Sequence, residues 1–123
     1  MRSYSRTERI NELIKEEICF IIKNRLKDPR LGFLTVLNVI TSKDLSLSKI
    51  YVSIYGDNET KDKTMEALMS ATGFIRGELS NRIRMKFVPE LVFIHDESEE
   101  IRFRIDGILK EIKINNPSIE NPE

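Results

Sequence analysis

MEALMSATGFIRGELSNRIRMK, residues Met65 to Lys86, is the stretch on which the reading of this chain turns. Met65, Leu68, Thr72, Ile75, Leu79 and Ile83 recur at spacings of three and four, the buried face of a long helix. Two glycines, Gly73 and Gly77, interrupt it, and each costs roughly 1 kcal/mol against alanine inside a helix. A sequence that accepts this twice gains close packing, a kink, or close approach of a ligand.

On a wheel of about 100° per residue, Gly73, Gly77, Ser80 and Arg84 fall on one strip, with Arg76 beside it. A furrow without bulky side chains thus runs next to arginines. A polyanion's backbone fits there, with guanidinium groups as charge partners. Tight packing of another helix on the strip explains the glycines as well, and this segment alone does not choose between the two.

Upstream, Ser5-Arg6-Thr7-Glu8 has capping-box spacing, and Ile10, Leu13, Ile14, Ile18 and Ile21 continue as a helical face. The run Ile18 to Ile22 is apolar all round and predicts a helix end buried between layers, with Cys19 an inert core thiol. Asp28-Pro29 should end this helix. Phe33 to Thr41 is rich in β-branched residues, and Leu47 to Tyr55 alternates, with Ile50, Val52 and Ile54 on one face. The two make an antiparallel hairpin around the polar turn Ser42 to Ser46. Pro89 precedes a third strand, Glu90 to Asp96, which a helical crossover lets join the same sheet. Acidic residues 96–100 then open another helix, with Ile101, Ile105, Ile108, Leu109 and Ile112 as its apolar face. Residues 1–114 are expected to form one domain, and 115–123, with two prolines and no periodicity, a disordered tail. The architecture expected is α+β, a two-layer sandwich of helices on one face of a three-stranded sheet.

Net charge is zero, yet its distribution is not even. Residues 1–30 carry +3, 31–60 −1, 61–88 +3 and 89–123 −5. Two basic segments and an acidic C-terminal third point to an oriented electrostatic partner. No apolar run approaches the ~20 residues of a membrane span, the N-terminus lacks a secretory apolar core, and one cysteine allows no internal disulfide, so a cytoplasmic protein is expected. No nucleotide-binding glycine loop, nucleophile elbow or paired C-x-x-C occurs, and the single His95 has no partner with which to make a metal site. The Asp96–Glu100 acids lack the spacing and glycine of a calcium loop. No enzyme, cofactor or metal is expected. Binding remains, through Arg6, Arg9, Lys23, Arg25, Lys27 and Arg30 on and after the first helix, and Arg76, Arg82, Arg84 and Lys86 on the second basic segment.

Several local motifs follow one another in order. They are Arg6 and Arg9 ahead of an Ile-rich helix, the loop Asp28-Pro29-Arg30-Leu31-Gly32, Thr35-Val36, and Asp44-Leu45 followed by Lys49-Ile50-Tyr51-Val52. Further on come Ala71-Thr72-Gly73-Phe74-Ile75-Arg76, then Pro89-Glu90-Leu91 with Phe93, Asp96 and Ser98. In this order and spacing they resemble the bacterial ribosome-binding factor A family, and the resemblance covers about residues 2 to 112. It implies a type II KH-like fold, α-β-β-α(kink)α-β, in which an Ala-x-Gly kink at Ala71-Thr72-Gly73 replaces the usual GxxG turn, with an additional C-terminal helix. It further implies a non-enzymatic, monomeric assembly factor that binds the free small (30S) ribosomal subunit and its rRNA, near the 5′ region and decoding-side helices. Support of precursor rRNA processing and of growth in the cold follows from the same resemblance. The expected RNA-binding set is the ten cations named above together with Ala71, Gly73, Gly77 and Ser80. A protein-interaction module that docks a partner helix on the Gly73/Gly77 strip is the alternative, and other assembly factors are further candidate partners.

Overall fold

The computed structural model describes residues 5–98, and residues 105 and 108 beyond them. The chain runs α1 (Arg6–Asn24), β1 (Phe33–Thr41), β2 (Leu47–Tyr55), α2 (Asn58–Ser70), α3 (Thr72–Arg82) and β3 (Glu90–His95). The strands form one sheet in the order β1-β2-β3, antiparallel between β1 and β2 and parallel between β2 and β3. This is the α-β-β-α-α-β order expected. A bulge at Val36/Asn38 shifts the β1–β2 register by one residue.

Local chemistry explains the elements. Ser5 Oγ accepts from the Glu8 N–H at 3.1 Å while Glu8 Oε1 accepts from the Ser5 N–H at 2.8 Å, a complete capping box for α1. Asp57 caps α2 by accepting from the Thr60 N–H at 2.8 Å. In the hairpin turn Leu45 takes φ 63°, uncommon for a side chain of its size. The turn is held by Asp44 Oδ1, which accepts from the Ser42 and Ser46 hydroxyls, each at 2.7 Å. The loop Asp28–Gly32 is fastened to α2 by one buried hydroxyl. Thr64 Oγ1 accepts from the Gly32 N–H at 2.9 Å and donates to the Arg30 carbonyl at 3.4 Å.

The core is a single layer between the sheet and the helices. Ile14, Ile18 and Ile21 of α1 meet Val36, Val39, Ile50, Val52, Ile54, Leu91 and Phe93 of the sheet, with Leu68, Ile75, Leu79 and Ile83 closing the other side. Removing such aliphatic side chains from water is worth about 1.5–3 kcal/mol apiece.

Four expectations change. First, α1 ends at Asn24, four residues before Asp28, because the Arg25 and Leu26 N–H groups both turn onto the Ile21 carbonyl and close the last turn early. Second, the end of α1 is not buried all round. Ile18 and Ile21 are buried but Cys19 and Phe20 are exposed, since the sheet covers only one side of the helix. Partial burial still pushes the Cys19 thiol pKa up. Third, the long helix starts earlier than expected, at Asn58, breaks at Ala71 (φ −91°, ψ 1°), and stops at Arg82. The break is the Ala71-Thr72-Gly73 kink. Fourth, Ile83 is extended (φ −117°, ψ 151°), so residues 83–88 form a loop into β3 and Arg84 does not extend the glycine strip as a helical position. Beyond β3, Ser98, Ile105 and Ile108 are helical, and the last two are each 51% exposed. The rest of the expected C-terminal helix and the tail 115–123 lie outside the described residues.

Candidate nucleic-acid interface

The two glycines face open space. Among the described residues a Cβ built on Gly73 or Gly77 meets nothing within 4 Å, so neither glycine serves tight packing against them. Ser80, also on the strip, turns its hydroxyl back to the Gly77 carbonyl at 2.7 Å. This bare strip is one wall of a groove whose other wall is the loop Met85 to Val88, and whose volume is about 390 Å³.

A second groove, about 610 Å³, adjoins the first and shares Met85, Lys86 and Phe87 with it. Its walls are the first turns of α1, with Arg6, Arg9, Ile10 and Leu13, and the loop residues Arg84 and Lys86. Antiparallel packing of α1 and α3 makes this possible. Late α1 lies on α3, as the Arg25–Glu78 and Arg82–Glu17 pairs show, so the chain leaving α3 passes along the start of α1. Two segments more than 70 residues apart therefore pool their charge. Among the described residues none of Arg6, Arg9, Arg84 and Lys86 makes an ion pair. Among the described residues the one acid lining the groove is Asp44, which is engaged by its own turn, whose hydroxyl and N–H donors hold its carboxyl below the usual range.

The remaining sequence-predicted residues divide differently. Arg25 Nε donates to Glu78 at 2.9 Å. Arg30 grips Asp28 through two hydrogen bonds, at 3.1 and 2.8 Å, and this fork holds the Asp28 carboxyl below its ordinary range. Arg82 pairs with Glu17 at 2.5 Å and lies over the Phe20 ring, 4.0 Å from its centroid. Arg76 donates to the carbonyls of Pro89 at 3.0 Å and Val88 at 2.6 Å. Each of these four arginines thus has a partner within the chain. Ala71 is half-buried at the kink, packed against the core. Lys23 stands in the last turn of α1, about 25 Å along the helix from Arg6 at 1.5 Å per residue, and Lys27 in the loop that follows it.

Sequence reasoning missed Phe87, 74% exposed and common to both grooves, with the Lys86 ammonium 5.7 Å from its ring centroid. Its signal was an aromatic residue directly after a basic run. A cationic floor, an exposed ring and a strip of bare backbone together suit phosphates and unpaired bases. Among the described residues no group of His, Cys, Asp and Glu is placed to hold a metal, and no helix is long and apolar enough to cross a membrane.

The family model described as Ribosome-binding factor A matches residues 6–109. The ribosome-binding factor A of Staphylococcus epidermidis is 43% identical over 111 residues, covering 90% of this chain and 96% of that one. That of Thermodesulfovibrio yellowstonii is 44% identical over 113 residues, covering 92% and 95%. Among solved structures, the solution structure of the Thermotoga maritima putative ribosome-binding factor A aligns with a TM-score of 0.70 at 31% identity, over 80% of this chain and 93% of that one. A homology model of the Thermus thermophilus ribosome-binding factor A, as fitted into the cryo-EM map of a 30S complex of that factor, aligns with a TM-score of 0.55 at 32% identity, over 75% of this chain and 92% of that one. Fold, family match and close relatives agree along nearly the whole described chain, and this chain belongs to the ribosome-binding factor A family.

Proposed function

We propose that this protein is a monomeric assembly factor that binds the free 30S subunit in the cytoplasm, with the rRNA backbone lying in the paired grooves around Met85 to Phe87. One observation carries the reading: four cations without ion pairs among the described residues converge where a glycine strip leaves helix backbone bare. Arg6, Arg9, Arg84 and Lys86 neutralise phosphates, the Gly73/Gly77 strip admits the sugar-phosphate chain closely, and Phe87 offers a stacking face. The family is non-enzymatic, and the thermophilic relative seen with a 30S subunit supports the partner. In this reading the factor acts late in subunit maturation. It supports processing of the precursor small-subunit rRNA, and so growth in the cold, by holding rRNA near the 5′ region and decoding-side helices.

Sedimentation with ribosomal particles tests it. The protein should travel with free small subunits and not with whole ribosomes, and binding should weaken steeply as salt rises. Affinity indifferent to salt, or equal binding to both particles, contradicts the reading.

A further inference from the structure

A third groove lies at the opposite end of α1, between that helix and the edge strand β1. It encloses about 570 Å³ and is walled by Cys19 and Ile22 of α1 and by Phe33, Leu34 and Val36 of β1, with Lys23 at its rim. Phe33, 78% exposed, stands at its mouth.

The backbone of β1 is treated unequally along its length. The Asp96 N–H donates to the Val52 carbonyl, so the Val52 peptide groups face β3. Alternation along β2 then turns Ser53 and Tyr55 toward β1, where they pair with Thr35 and Phe33. Leu34 and Val36 therefore point their N–H and C=O groups out of the sheet, into the groove their side chains help to line. Past the bulge the outward donors are covered: the Val39 N–H donates to Asn38 Oδ1 and the Thr41 N–H to Asn11 Oδ1 of α1, each at 2.9 Å. Side chains cap one half of the edge. Among the described residues nothing covers the other half, beside an apolar trough, and an open edge strand is a template for another chain.

We propose that the Leu34–Val36 edge and the α1 wall form a docking site for an extended peptide of a partner protein, apolar at alternate positions and carrying an acidic residue. The peptide adds a fourth strand beside β1 through the outward Leu34 and Val36 groups, which have no partner among the described residues. Its inward side chains enter the trough against Cys19 and Ile22, and its acid meets Lys23, which makes no ion pair among the described residues. This site shares no lining residue with the proposed RNA grooves, so peptide and ribosomal RNA can be held together.

Panning a phage-displayed library of random heptapeptides against the full chain, followed by amide NMR with the enriched synthetic peptides, tests it. Expected are sequences alternating apolar residues with one acid, and slowed solvent exchange at the Leu34 and Val36 amides on binding. Lys23→Glu should weaken the acidic peptide about tenfold and recover affinity for the same peptide with its acid changed to lysine. No enrichment over an Ile22→Asp variant with the same amide spectrum outside the groove overturns the proposal. So does enrichment without change at Leu34 and Val36. Protection of those amides that grows with protein concentration assigns the edge to a second copy. Protection in the free monomer that disappears when residues 115–123 are removed assigns it to the chain's own tail. Either of these also overturns it.

Discussion

Arg76 donates from α3 to the carbonyl of Pro89, at 3.0 Å, and with its second hydrogen bond to Val88 it fixes the chain that leads into β3. An arginine expected from the sequence to contact RNA thus also braces a helix against the approach to a strand. Arg76→Ala removes two charge-assisted hydrogen bonds, and an expected loss of roughly 1–2 kcal/mol lowers the melting temperature by several degrees. Arg76→Lys should recover only part of this, since one ammonium cannot reproduce the planar fork. Thermal unfolding of both variants checks the order.

Gly73→Ala and Gly77→Ala should each stabilise the protein, by about 0.5–1 kcal/mol, because the added methyl meets no atom and the helical cost of glycine is removed. Binding to small subunits should weaken in the same variants, since the methyl would occupy the space that the proposed function gives to the RNA backbone. Greater stability with unchanged binding would show that the bare strip has no part in recognition.

Replacing Arg84 and Lys86 together by Ala should leave the melting temperature nearly unchanged, because neither makes an ion pair among the described residues. The salt dependence of 30S binding should become shallower by about two phosphates' worth. Arg82→Ala should do the reverse. It releases Glu17 and uncovers Phe20, so stability falls and the salt slope is kept.

Asp57 accepts from the Thr60 N–H at the start of α2, which holds its carboxyl below the ordinary value of 3.8. A depressed folded-state pKa gives stability that is present above the unfolded-state value and disappears as pH falls through the folded one. Asp57→Ala should therefore lower the melting temperature at neutral pH, and the gap to the parent should close on acidification below about pH 4. Melting curves at several pH values measure it, and a gap independent of pH would show that the charge of the cap is immaterial.

Periodicity alone made the elements legible. Ile14, Ile18 and Ile21 at helical spacing, Ile50, Val52 and Ile54 in alternation, and Leu68, Ile75 and Leu79 around two glycines each report a local repeat, and all are buried. The kink at Ala71 was legible through the family resemblance. Local repeats carry no information about what a charged side chain meets far along the chain. Arg25 finds Glu78 across 53 positions and Arg82 finds Glu17 across 65, and no pattern near either arginine announces those pairs. Nor does spacing say that the helix ends at Arg82, which carries Arg84 off the glycine strip and onto the groove beside Arg6 and Arg9. The amino-acid order by itself thus determined which faces are buried, because burial follows a short-range repeat. Which cations are ion-paired among the described residues was decided only by the tertiary structure, because pairing depends on the antiparallel packing of α1 and α3.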